Sequence, residues 1–205
     1  LRRRRGGHRR RHPDLGAPGS AAELIAAAGD LFGALDILVN SAASFQRRPF
    51  QDISAADWDH VMAVNLRAPF QLIQHAARLM GPRRADGEPP GAVVNIADLS
   101  GEKPWRGYVH HGVSKAALLH LTRGAALALG PDVRVNAVVP GAILPPPGLE
   151  ATDDAWRRRG ERLPVGRLGA ASDVGRAVRF LVEEDFITGE VLHVDGGEGL
   201  LSGRP

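Results

Sequence analysis

The sequence predicts an α/β domain organised on a parallel β-sheet, and three features carry that prediction. Short, mostly apolar runs recur along the chain: Leu35–Val39, interrupted by Asp36, then Val93–Ile96 and Val133–Val139. Small or turn-forming residues follow their carboxyl ends, in Asn40-Ser41-Ala42, Ser100-Gly101 and Pro140-Gly141. Segments with apolar residues at helical spacing separate the runs. Strand and helix in alternation imply parallel strands joined by right-handed crossovers. The 205 residues suffice for one domain with a sizeable core and show no internal repeat.

Composition narrows the class. The chain is 43% apolar with scattered charge, as a soluble globular protein should be. No apolar run approaches a membrane span, and no signal-type segment opens the chain. The absence of cysteine excludes a disulfide framework and thiolate chemistry and fits a cytoplasmic protein. The net charge of +3 is unevenly placed: Leu1 to His12 holds seven Arg and no acid, leaving 19 basic against 23 acidic residues in a mildly acidic body. Residues 1–13 are expected to be a disordered Arg-rich arm. It reads either as a phosphate-binding attachment to nucleic acid or an anionic membrane, or as a shifted frame or misplaced start in place of the natural N-terminus. No aromatic or base-reading module follows it, so neither nucleic acid nor membrane is an expected partner. Residues 14–205 form the domain.

Within the domain, Ser20-Ala-Ala-Glu23 has the spacing of a capping box and opens a helix over 20–32 that Gly33 ends. Ser54-Ala-Ala-Asp57 is a second such motif, opening a helix predicted to continue to about Met80 on a stripe of Val61, Val64, Leu72, Ile73 and Ala76. Gly81 to Gly91, with three Pro, is a surface loop. Small and apolar residues at helical spacing run from Val109 through Ala116, Leu119 and Ala125. Residues 144–162 read as a lid, in which Trp156 is either an anchor over substrate or simple packing. Ser172-Asp173 is expected to cap a helix ending near Glu183, and a last strand follows before Gly196-Gly197.

The stretch Asn95 to Lys115 concentrates chemistry. His111 and Lys115 are four apart, so they share a helix face. Asp98, just past a strand's carboxyl end, can reach the same place, where α/β sheets put ligands. An acid, a proton-relay group and a cation would converge there. His110 and His111 have no metal-ligand spacing with other His or acidic residues.

This stretch resembles the active-site segment of the short-chain dehydrogenase/reductase family, whose pattern is Ser or Asp, a gap, then Tyr-x-x-x-Lys. Ser114-Lys-Ala-Ala-Leu118 matches the surroundings of the family lysine, and Asp98 in the Ser position is similar to the pteridine-reductase branch. His111 stands where the family has its catalytic Tyr. Asn40-Ser41-Ala42-Ala43 partly matches the family's Asn-Asn-Ala-Gly, and Val135-Asn136 with Pro140-Gly141 matches its Arg-Val-Asn-x-x-x-Pro-Gly signature. Ile187 to Gly197 resembles its closing strand.

The resemblance implies a Rossmann-like doubly wound sheet and NADP(H)-dependent reduction of a small carbonyl or pterin-like imine, with NAD(H) left open. It implies a catalytic set of Asp98, His111, Lys115 and Asn65, whose helix kink holds part of the proton relay. Asp14, Asn40, Ser41, Ala42, Lys115, Pro140, Gly141 and Ile143 would meet the cofactor. Phe45, Asp98 and Trp156 would meet substrate, Phe45 as the aromatic on which a pterin stacks. A homo-dimer or homo-tetramer is implied by the closing strand. Tyr108 is the alternative acid.

The family's Gly-x-x-x-Gly-x-Gly turn, which cradles pyrophosphate at a helix N-terminus, follows no strand in this sequence. The expected fold is therefore a family domain lacking its N-terminal βαβ unit, with the strand near Leu35–Val39 as an exposed sheet edge. A second reading follows from that gap and from His111: an inactive or truncated relative that serves as a ligand-binding or oligomerisation partner.

Overall fold

The computed structural model describes residues 14–81, 89–145, 148 and 150–201. The Arg-rich arm, most of the loop after Gly81 and part of the Pro-rich run before the lid lie outside the described residues. Four strands, β1 (Ile37–Asn40), β2 (Gly91–Ile96), β3 (Val133–Pro140) and β4 (Val191–Val194), form one parallel sheet in the order β1-β2-β3-β4. The register aligns their carboxyl ends, with Asn40 beside Asn95 and Pro140 beside Val194. The predicted alternation is thus realised as a Rossmann-like α/β fold.

One face of the sheet is covered by α1 (Ser20–Phe32), α3 (Ala68–Met80) and α4 (Val109–Leu129). Its core joins Ile25, Leu72, Ile73 and Met80 to Val93, Val133 and Val135. The other face is covered by α6 (Ala171–Glu183), where Leu181 packs on Val94 and Val138. The segment predicted as a lid carries α5 (Asp154–Arg162). Among the described residues, no helix is long and apolar enough to cross a membrane.

Several local predictions change. The Ser20 hydroxyl does not cap α1: it donates to the carbonyls of Asp14 (2.6 Å) and Ala17 (2.8 Å), and Gly19 takes the cap position without a side-chain bond. The capping box at Ser54 does form, with Asp57 N–H donating to Ser54 Oγ at 3.1 Å and Ser54 N–H to Asp57 Oδ2 at 3.2 Å. For α6 the capping group is Asp173 alone, which accepts from Ala170 N–H at 2.8 Å, and Ser172 takes no part. The strand predicted from Leu35 starts only at Ile37, after Asp36. The long helix predicted from Ser54 to Met80 is three segments: α2 (Ala55–Met62), a π-turn over Ala63–Arg67, and α3.

Side chains alternate across a strand, and Ile37 and Val39 pair with Ala92 and Val94, so they face the α6 side. That helix packs mainly over β2, β3 and β4. Ile37 and Val39 are 46% and 42% exposed. An apolar strand face open to water promotes association. Replacing both Ile37 and Val39 by Thr is expected to raise the soluble, monomeric fraction measured by size-exclusion chromatography. An unchanged fraction would show that this face does not govern solubility.

Candidate active site at the carboxyl ends of the strands

The site is built around the π-turn. A π-turn inserts one residue into helical register and re-aims the side chains within it, and such turns concentrate at functional sites. Here it points Asn65 inward, 1% exposed. Asn65 Oδ1 accepts from Ser44 N–H at 2.6 Å, and Asn65 Nδ2 donates to Ser44 O and Ser114 Oγ, both at 3.0 Å. Ser114 Oγ donates in turn to His111 O at 2.6 Å. One amide therefore ties the loop after β1 to the first turns of α4.

His111 projects from α4 into this network. Its Nδ1 lies 3.0 Å from Ser44 O and 3.3 Å from Asn65 Nδ2, and its Nε2 lies 2.6 Å from Asp98 Oδ2. Ser44 O is an acceptor, and the two protons of Asn65 Nδ2 already have partners, so Nδ1 carries a proton. The contact between Nε2 and Oδ2 then requires a further proton, shared between ring and carboxylate. Burial pushes the Asp98 carboxyl up. The hydrogen bond and charge of His111, the Ser100 hydroxyl and the Lys115 charge outweigh this and hold it below the usual carboxylate range.

Asp98 is fixed by its place before a short 3-10 turn, Leu99–Gly101, whose Ser100 N–H donates to Asp98 Oδ1 at 2.9 Å; Ser100 Oγ donates to the same oxygen. That turn lies close against α4. A Cβ on Gly112 would fall 2.8 Å from Ser100 O, so only glycine permits the approach that brings Asp98 to His111.

Lys115, one turn after His111, does not touch it. Its Nζ donates to Ile96 O at the end of β2, at 2.8 Å. Burial pushes this ammonium down, against the opposing pull of the Asp98 carboxylate. Two of its three donors remain for another partner. Behind it, Asn40 Nδ2 donates to Asn95 Oδ1 at 2.8 Å and Asn95 Nδ2 to Thr122 Oγ1 at 2.9 Å, bracing β1, β2 and α4.

These features fit a nicotinamide cofactor. The spare donors of Lys115 suit ribose hydroxyls, and the buried Asn40 Oδ1 has no partner. The backbone of Pro140-Gly141 passes the end of β4 so closely that a Cβ on Gly141 would lie 2.7 Å from Asp195 Cα. Ser41 and Ala42 are exposed beside Asn40, and Ile143 is half-buried beyond Gly141. Asp14 stands apart. Its carboxylate accepts from Gly16 N–H at 2.9 Å, and it lines an open cleft of about 940 Å³ with Ala63, Arg67, Phe70 and Leu121 that none of the catalytic candidates lines.

On the substrate side, Phe45 stacks on Tyr108 (centroids 4.5 Å, 16°) and meets His111 edge to face (4.8 Å, 84°). Trp105 stands perpendicular to both Phe45 and Tyr108. Trp156 lies away from this cluster, 4% exposed among Ala142, Leu163 and Leu168, with Arg159 over its ring. Its place is packing within the lid. Arg159 also donates through Nε to Glu198 Oε1 at 2.8 Å, holding α5 to the chain after β4. Sequence reasoning missed Ser44 and Ser114. Ser114 had a signal, three residues after His111 on one face, whereas Ser44 acts through its backbone and had none.

A family model described as enoyl-(acyl carrier protein) reductase matches residues 3–198. The 3-oxoacyl-(acyl-carrier-protein) reductase of Aquifex aeolicus is 36% identical over 171 residues, covering 82% of this chain and 67% of that protein. An uncharacterized oxidoreductase of Schizosaccharomyces pombe is 38% identical over 183 residues, covering 84% of this chain and 67% of that protein. Among solved structures, FolM alternative dihydrofolate reductase 1 from Brucella suis, crystallised with NADP, superposes with a TM-score of 0.83 at 33% identity, over 94% of this chain and 74% of that one. The chain belongs to the short-chain dehydrogenase/reductase family of oxidoreductases, and it spans about two thirds of the length of the two sequence relatives.

Two outcomes test the network. Asn65→Ala leaves the buried Ser44 amide without its acceptor and is expected to cost about 1–3 kcal/mol, read by urea unfolding; a smaller loss would mean that water replaces the amide. His110, fully buried with both ring nitrogens unpartnered, is held below the ordinary imidazole range by burial, with Asp57 opposing and His111 and Arg48 reinforcing. A histidine kept neutral in the fold binds protons more readily when unfolded, so stability falls as pH drops below about 6.5. His110→Leu is expected to flatten that acid-side slope, and an unchanged slope would assign it to other groups.

Proposed function

We propose that the chain is a reductase site for a small carbonyl or pterin-like imine, using NADP(H) and taking its proton from the Asp98–His111 pair. The 2.6 Å contact between Asp98 and His111 carries this reading. A bound nicotinamide would supply hydride to the carbonyl or imine carbon. Lys115, the loop from Asn40 and the Pro140–Ile143 turn would hold it; NADP rather than NAD rests on the NADP-bound neighbour.

The residues of this chain account for the proton. His111 is 1% exposed and cannot itself reach substrate, whereas the Asp98 side chain is 19% exposed and faces outward. As charge develops on the substrate oxygen or nitrogen, the proton shared between His111 Nε2 and Asp98 Oδ2 passes to it through the Asp98 carboxyl. The pair is left as a carboxylate and a neutral imidazole that keeps its Nδ1 proton on Ser44 O. Ser44 O, itself held by the Asn65 amide, keeps the ring in that tautomer. Lys115 contributes positive charge at the strand end. A histidine thus serves where the family uses a phenol, with Asp98 supplying the reach that imidazole lacks.

The test combines NADPH fluorescence titration with single-turnover reduction of a pterin or a simple ketone. Asp98→Asn and His111→Phe should bind NADPH like the parent while turnover falls by about 10²- to 10⁴-fold. His111→Tyr should retain turnover. NADPH binding by every variant with no turnover in the parent would favour a ligand-binding relative that has lost its acid, and absence of NADPH binding would sink the proposal.

A further inference from the structure

The inference here rests on the pterin-like substrate of the proposed function, for which Phe45, in contact with His111, would be the stacking aromatic. In the structure the place is taken. The Tyr108 ring lies on Phe45 at 4.5 Å and 16°, the separation and tilt of a stacked pair. Trp105 closes on both rings edge-on, with centroids 6.5 Å from Phe45 and 6.2 Å from Tyr108. The backbone beneath Tyr108 is pinned: its N–H donates to Trp105 O at 3.1 Å, its carbonyl accepts from Gly112 N–H at 2.8 Å, and Arg48 N–H donates to Gly107 O at 2.8 Å. Only the side chain is left free to move, by rotation about its own χ1.

We propose that Tyr108 is a specificity-determining residue whose ring occupies the stacking position on Phe45, so that a planar heteroaromatic ligand enters by displacing it. The stack sets the selectivity. A flat ring replaces the Tyr108–Phe45 contact with an equivalent one, whereas a small non-planar carbonyl cannot compensate for its loss and leaves Tyr108 in place. The residue acts through Phe45 rather than on the reacting atoms, which distinguishes it from the substitute acid that its sequence position suggests.

Tyr108 is the sole tyrosine in the chain, so incorporation of 3-fluorotyrosine gives a single ¹⁹F resonance that reports the ring directly, with no dependence on turnover. Titrating the full chain with folic acid, a soluble carrier of a flat pteridine ring, is expected to move that resonance saturably, while cyclohexanone leaves it unmoved. Tyr108→Ala, which empties the position, should bind folic acid about 2- to 10-fold more tightly, and Tyr108→Phe, which keeps the stack, should match the parent. Folic acid binding without movement of the resonance would overturn the proposal. So would weaker binding by Tyr108→Ala, which would make Tyr108 part of the ligand's platform, and so would absence of binding by both parent and Tyr108→Ala. A failure of NADPH binding in the preceding experiment, with the resonance still displaced by folic acid, would remove the reductase reading and leave the role of Tyr108 standing.

Discussion

The amide of Asn65 is the constraint on which the site depends. It is buried, and it sits in a five-residue turn that breaks the regular register between α2 and α3. A single side chain there satisfies both backbone polar groups of Ser44 and donates to the hydroxyl of Ser114. Buried polar groups left without partners are costly, so these bonds lock the loop after β1 and the start of α4 into one arrangement. The position of Ser44 O then dictates which nitrogen of His111 must hold a proton, and the opposite nitrogen meets Asp98. Secondary structure, packing and protonation state are thereby linked through one residue.

The sheet supplies the frame. All four strands are parallel, so their carboxyl ends gather Asn40, Asp98, Gly141 and Asp195 along one rim, the usual ligand position in such folds. The rim is stiffened from beneath by the polar line from Asn40 through Asn95 to Thr122. On one side Arg159 joins α5 to Glu198 after β4 and covers Trp156. At the opposite side the order reverses. β1 ends the sheet among the described residues with Ile37 and Val39 partly open to water.

Much of this was legible in the sequence. The parallel sheet followed from apolar runs alternating with helical spacing, and the His111–Lys115 face and the reach of Asp98 followed from their spacing on strand end and helix. The π-turn was not legible in the apolar stripe from Val61 to Ala76, which continues through it at ordinary helical period; only the family resemblance implied a helix kink at Asn65. The Ser20 motif misled for a tertiary reason: its hydroxyl is drawn to the carbonyls of Asp14 and Ala17, bonds no local pattern announces. Lys115 shares a face with His111 yet bonds Ile96 O, since the strand end lies nearer than the ring. The stacking of Tyr108 on Phe45 joins residues 63 positions apart in the sequence and depends on a loop held by the Arg48–Gly107 bond.

The central claim is that one proton is held between His111 and Asp98, and nuclear magnetic resonance of ¹⁵N-histidine-labelled protein tests it most directly. The account predicts a low-field exchangeable proton coupled to His111 Nε2, a second proton on Nδ1 protected from solvent exchange, and loss of the low-field signal in Asp98→Asn. A His111 ring with an unprotonated Nδ1, or with no low-field proton in the parent, would contradict it.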